Sequence, residues 1–135
     1  MITKGKIHAM KTYLIDTNVF IRHFRGDKKA TRFLKSVRNN SYISYIVAGE
    51  LLQGVENKKD LAVVEDILDA WEIDWGDSKI HKKGLEILKN VNLKNKLGLL
   101  DAIIAATAIK NGSVLVSLNR KHFKDVEGLE LRDKF

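Results

Sequence analysis

Strands alternating with helices predict an α/β fold, three-layered as α/β/α around a short, mostly parallel central sheet. Two segments carry most of that prediction. Residues 114–116, Val-Leu-Val, form a continuous apolar run of the kind buried in a parallel sheet. Residues 97–110 read as a helix that is apolar almost all round, which needs a central position. The chain of 135 residues is long enough for one domain with a single core.

The elements follow in order along the chain. Residues 13–15 form a short buried strand, and 18–25 a short helix that Gly26-Asp27 breaks. Asp27 caps a second helix over 28–39, with Ala30, Phe33, Leu34 and Val37 on one face. Asn39-Asn40 makes a turn into a strand at 42–44, and 45–55 is a helix carrying Glu50. A further helix spans 57–70, with Asn57 as its cap and Leu61, Val64, Ile67 and Leu68 at helical spacing. The alternation in 71–75 predicts a strand. Ser78 caps a helix to about residue 90, with Ile80, Leu85 and Leu88 inward. After the apolar helix, Asn111-Gly112 is a stop. A short strand near 129–131 closes the chain.

Composition narrows the chemistry. No cysteine is present, so disulfides, thiolate metal sites and cysteine nucleophiles are excluded. His8, His23, His81 and His122 show no zinc-ligand spacing. The net charge of +7 favours a polyanionic partner such as nucleic acid. Asp101 interrupts the longest apolar run, so no membrane span is expected. Residues 1–9 lack the apolar centre of a signal peptide and read as a leader, either an added segment or an alternative start. Residues 10–135 then form the single domain. The missing signal and missing cysteines point to a cytoplasmic protein.

Three acids stand alone among apolar neighbours. Asp16 ends Tyr13-Leu14-Ile15, Glu50 sits between Gly49 and Leu51-Leu52, and Asp101 lies between Leu99-Leu100 and Ala102-Ile103-Ile104. Each has a local explanation: Asp16 as a helix cap, Glu50 as a half-exposed helical residue, Asp101 as an acid favoured by a helix N-terminus. A carboxylate drawn toward a core is costly unless paired, hydrogen-bonded or bound to metal. Three together suggest one shared divalent cation. Asp16 and Asn119 both follow strands, at the edge where α/β sheets collect ligands.

The order of these acids, with Leu14-Ile15-Asp16-Thr17-Asn18-Val19, Gly49-Glu50-Leu51 and Gly54, residues 98–106, residues 117–123 and Gly128-Leu129, resembles the PIN-domain ribonucleases, and within them the VapC-type toxins of toxin–antitoxin modules. The resemblance covers residues 10–135. It implies RNA cleavage with Mg²⁺ or Mn²⁺ held by Asp16, Glu50 and Asp101, with Asn119 as a further ligand. It implies an RNA substrate, a cognate VapB-like antitoxin and a homodimer. Many such relatives carry a fourth acid where Asn119 stands; one neutral oxygen there predicts a weaker second metal, or none. The competing reading of Asn119 is a turn residue.

Ser117 and Asn18 are expected to support Asp16 by hydrogen bonds. Arg22, Arg25, Lys94, Lys96, Arg120 and Lys121 are the candidate phosphate contacts. Tyr45, Trp71 and Trp75 can stack on bases, though core packing is the expectation for them. The alternatives are a stand-alone PIN nuclease of RNA processing and a non-catalytic binding module. A phospho-receiver domain is disfavoured, because the second and third acids fall on helices.

Overall fold

The computed structural model describes residues 11–91, 94–95 and 97–135. The expected leader and Lys96 lie outside the described residues. Five strands, β1 (Tyr13–Ile15), β2 (Ser41–Ser44), β3 (Glu72–Asp74), β4 (Val114–Val116) and β5 (Glu130–Arg132), form one sheet in the order β3-β2-β1-β4-β5. Every pairing is parallel. Helices α1 (Thr17–Phe24), α2 (Lys28–Val37), α3 (Tyr45–Gln53), α4 (Lys58–Ala70), α5 (Ser78–Val91), α6 (Leu99–Asn111) and α7 (Arg120–Phe123) flank it.

The strand order explains where a site can form. The chain moves from β1 outward to β2 and β3, then returns to the opposite side of β1 to build β4 and β5. The order reverses between β1 and β4, so the connections leaving their carboxyl ends diverge and open a crevice. Leu14, Ile15, Leu115 and Val116 are fully buried in these two strands. Burial on both faces is why they read as unbroken apolar runs.

Local chemistry fixes the helix ends. Asp27 accepts from the N–H groups of Lys29 and Ala30, and Ala30, Phe33, Leu34 and Val37 are buried as their spacing predicts. The helix stops at Val37, and a 3-10 turn over Arg38–Asn40 leads into β2. Asn57 Oδ1 accepts from Asp60 N–H and caps α4. Of the expected apolar face of α4, Val64 is buried, Ile67 and Leu68 pack partly, and Leu61 stays exposed.

Helix α5 departs from the expectation. Asp77, rather than Ser78, supplies the capping carboxylate, accepting from Ile80 N–H at 2.9 Å. Leu85 was expected inward and is 61% exposed, while Ile80, Gly84, Ile87 and Val91 form the buried stripe. The cause is a close helix crossing. A Cβ on Gly84 would meet the Ile103 side chain at 3.3 Å, so α5 turns its glycine, not its leucine, against α6. Along α6 every residue from Ala102 to Ala108 is buried. Gly112 ends it with φ +63°, a backbone region that only glycine enters without cost.

Candidate active site

Asp16 follows β1 directly, and its backbone N–H still bonds Val116 O at 2.9 Å. That bond pins the residue at the reversal point of the sheet. Its side chain caps α1 by accepting from Thr17 N–H at 2.8 Å. The other oxygen accepts from Ser117 Oγ at 2.7 Å and from Asn18 Nδ2 at 3.4 Å. Asn18 also donates to Ser117 Oγ at 3.2 Å and accepts from Leu118 N–H at 3.1 Å. Asn18 thereby ties the start of α1 to the segment after β4.

Glu50 reaches the same place from α3. Thr17 Oγ1 donates to Glu50 Oε1 at 2.7 Å, so Glu50 stands beside the first turn of α1. Asp101 arrives from the first turn of α6, whose cap, Gly98, offers no side chain. Its Oδ2 lies 3.4 Å from His122 Nδ1, and that nitrogen lies 2.7 Å from Asn119 Nδ2. The structure therefore brings Asp16, Glu50, Asp101, Asn18, Ser117 and Asn119 together. It adds Thr17 and His122, which the sequence reading did not single out. Both sit inside motifs already quoted, so adjacency to Asp16 and Asn119 was the available signal.

The electrostatics are those of a crowded anionic site. Asp16 is only 5% exposed. Burial is the largest cause pushing its pKa from the ordinary 3.8 up to about 6. Hydrogen bonds from Ser117 and Thr17 pull it down, while the charges of Asp101 and Glu50 add to the rise. The charges of Asp101 and Glu50 thus reach Asp16. Among the described residues, no group of three or more His, Asp or Glu side chains already has the spacing to hold a metal ion. The donor set nevertheless suits Mg²⁺ or Mn²⁺. Such hard cations take oxygen ligands, keep several waters and need only one or two carboxylates, so a closed triad is not required.

The expected phosphate contacts divide. Arg25 borders a cleft of about 570 Å³ that also contains Thr17 and Glu50. Arg22 pairs with Asp27, and Arg120 with Asp133. Lys94 lies in a separate hollow with Glu86, Asp125 and Glu127, and Lys121 is exposed on α7. The aromatic residues correct the sequence reading at one point. Trp71 packs edge-on against Phe20, and Tyr45 against His81, but Trp75 is 71% exposed. It lies one residue beyond the edge strand β3.

The PIN domain family's sequence profile matches residues 13–129. Ribonuclease VapC1 of Rickettsia felis is 36% identical over 126 residues, covering 87% of this chain and 92% of that one. Among solved structures, VapBC2 of Rickettsia felis bound to a promoter DNA fragment superposes with a TM-score of 0.78 at 27% identity, covering 90% of this chain and 97% of that one. A toxin–antitoxin complex from Klebsiella pneumoniae superposes with 0.75 at 27% identity, covering 87% and 95%. With the acids in the family's order and the sheet in its topology, the chain belongs to the PIN-domain family, in its VapC-type branch.

Proposed function

We propose that this protein is a metal-dependent endoribonuclease, the toxin of a toxin–antitoxin module. The observation that carries the reading is Asp16: a buried carboxylate, raised to about 6, within reach of two other acids in a chain of net charge +7. A structural role alone gives no reason to gather three acids at the sheet's reversal point. Asp16, Glu50 and Asp101 would hold Mg²⁺ or Mn²⁺, with Asn119 as the neutral fourth position. When bound, such an ion lowers the pKa of a water and offsets charge on the phosphate. Ser117 and the Thr17 N–H keep Asp16 aimed, and Asn18 holds Ser117 in turn. Thr17 restrains Glu50. Arg25, beside Glu50, is placed to take a backbone phosphate.

The partner reading has its own support. Exposed Ile21, Phe24 and Val63 line the cleft that ends at Thr17 and Glu50. Exposed apolar surface leading into a site is what a protein partner covers. The toxin–antitoxin complex from Klebsiella pneumoniae supplies the class of that partner, an antitoxin. We place the protein in the cytoplasm, as a homodimer. Among the described residues no helix is long and apolar enough to cross a membrane. Incubation with single-stranded RNA tests the activity: cleavage in Mn²⁺ and none in chelator is expected. Equal cleavage in chelator would remove the metal dependence, and no cleavage in any metal would remove the nuclease assignment.

A further inference from the structure

His122 is half-exposed on α7, and its Nδ1 faces two groups of the site. Asn119 Nδ2 lies 2.7 Å from it, and Asp101 Oδ2 lies 3.4 Å from it. An amide nitrogen only donates. With the amide turned this way Asn119 donates to Nδ1, which assigns the ring hydrogen to Nε2 and leaves the 3.4 Å approach of Asp101 Oδ2 as a contact without a hydrogen bond. In this pairing Nδ2 points toward the ring, and among the described residues Oδ1 makes no hydrogen bond. The backbone supports this turn, because Asn119 N–H donates to Ser117 Oγ at 3.1 Å and His122 N–H to Asn119 O at 3.1 Å.

We propose that His122 is a positioning residue for the metal, holding the Asn119 amide so that its oxygen, not its N–H₂, is presented as a ligand. The inference rests on the metal-dependent reading given above. Its physical basis is an asymmetry between asparagine and aspartate. A carboxylate has two equivalent oxygens and no wrong end. An amide turned the wrong way points positive hydrogens at a cation. Reversing both the amide and the imidazole tautomer gives the other consistent pairing, with Nδ1–H shared between Asn119 Oδ1 and Asp101 Oδ2. That pairing spends the amide oxygen on the ring, so a bound cation selects against it. A chain with asparagine at this position therefore needs a neighbour that accepts from Nδ2, and His122 is the acceptor in place.

The test is a calorimetric titration of Mn²⁺, without RNA, into the native protein, His122→Ala, Asn119→Asp and the double variant. His122→Ala should weaken Mn²⁺ about tenfold, the usual effect of losing a group that orients a ligand. His122→Asn places an amide near the former Nδ1 and should recover most of the loss. In the Asn119→Asp background, His122→Ala should change affinity by no more than roughly twofold, the ordinary limit of additivity. An equal loss in both backgrounds overturns the proposal, since His122 would then act through Asp101. Unchanged affinity in His122→Ala overturns it too, and leaves the metal site standing. A native protein that takes up no Mn²⁺ overturns the metal-dependent reading itself, and this inference with it. Thermal melts verify folding of each variant.

Discussion

Replacing Asp16 by asparagine should stabilise the metal-free protein at neutral pH while abolishing cleavage. Its pKa stands about two units above the ordinary 3.8. At 1.36 kcal/mol per unit, the ionised side chain costs the fold roughly 3 kcal/mol at pH 7.5. Asparagine removes that cost. It can still accept from Thr17 N–H, but its Nδ2 cannot accept from Ser117 or Asn18. Losing those bonds takes back about 1–2 kcal/mol. The net gain is about 1–2 kcal/mol, or roughly 3–6 °C in Tm for a domain of this size.

The pH dependence provides the control. A folded pKa raised above the unfolded one means that stability is fully present below about 3.8 and is lost as pH rises through about 6. At pH 4.5 only about 1 kcal/mol of the charge cost remains, so the gain of Asp16→Asn should vanish there. Scanning calorimetry in chelator at pH 7.5 and 4.5 reads both. Saturating Mn²⁺ should raise the Tm of the native protein and not of the variant. A variant less stable by the same amount at both pH values would falsify the claim that Asp16 carries a strained charge.

Other perturbations separate chemistry from scaffold. Asp101→Asn keeps the shape of the side chain and should fold with an unchanged circular dichroism spectrum. Its cleavage rate should fall by more than roughly a hundredfold, the upper end for loss of a merely supporting contact; near-native activity would take Asp101 out of the site. Ser117→Ala removes a hydrogen bond that lowers the Asp16 pKa, so the acid limb of the pH–rate profile should move toward higher pH. An unmoved limb would mean that another group controls it. Gly112→Ala forces a side chain into φ +63° with no steric neighbour. It should cost about 1 kcal/mol in denaturant unfolding and leave cleavage unchanged.

Much of this architecture was legible because local and global signals agree. In α2 the Asp27 cap and the four apolar positions point to the same helix face. In α6 the nearly unbroken apolar surface demanded the central position that it takes. The sequence misled where contact depends on a residue with no side chain. Leu85 looked like a core residue because glycine leaves no apolar signal, yet Gly84 is what meets Ile103. Trp75 looked buried because the alternation around Ile73 is real, but β3 is an edge strand and ends one residue short of it. His122 carries no metal-ligand signal in the sequence, because its spacing to the other histidines fits no zinc site. Its partners are an amide three residues away and a carboxylate on another helix, a pairing that only the fold creates.

Asp16 and Asp27 do the same local job, and comparing them isolates what the site adds. Both cap a helix through a carboxylate that accepts backbone N–H groups. Asp27 caps from the surface. The Ala30 N–H, the Arg22 guanidinium and the Lys29 N–H together hold its pKa below the ordinary 3.8. Its charge therefore favours folding above pH 3.8, and that contribution is lost as pH falls through its depressed pKa. Asp16 caps from the crevice beside two other acids, and its charge opposes folding. If capping were the whole reason for Asp16, asparagine would serve as well without the electrostatic cost. The two substitutions should then have opposite signs at pH 7.5 in chelator. Asp27→Asn should lower Tm, because it loses the Arg22 ion pair, and Asp16→Asn should raise it. On acidification the two variants should converge on the native protein from opposite sides. If both lowered Tm alike, Asp16 would be a cap and nothing more, and the acids around it would need another explanation.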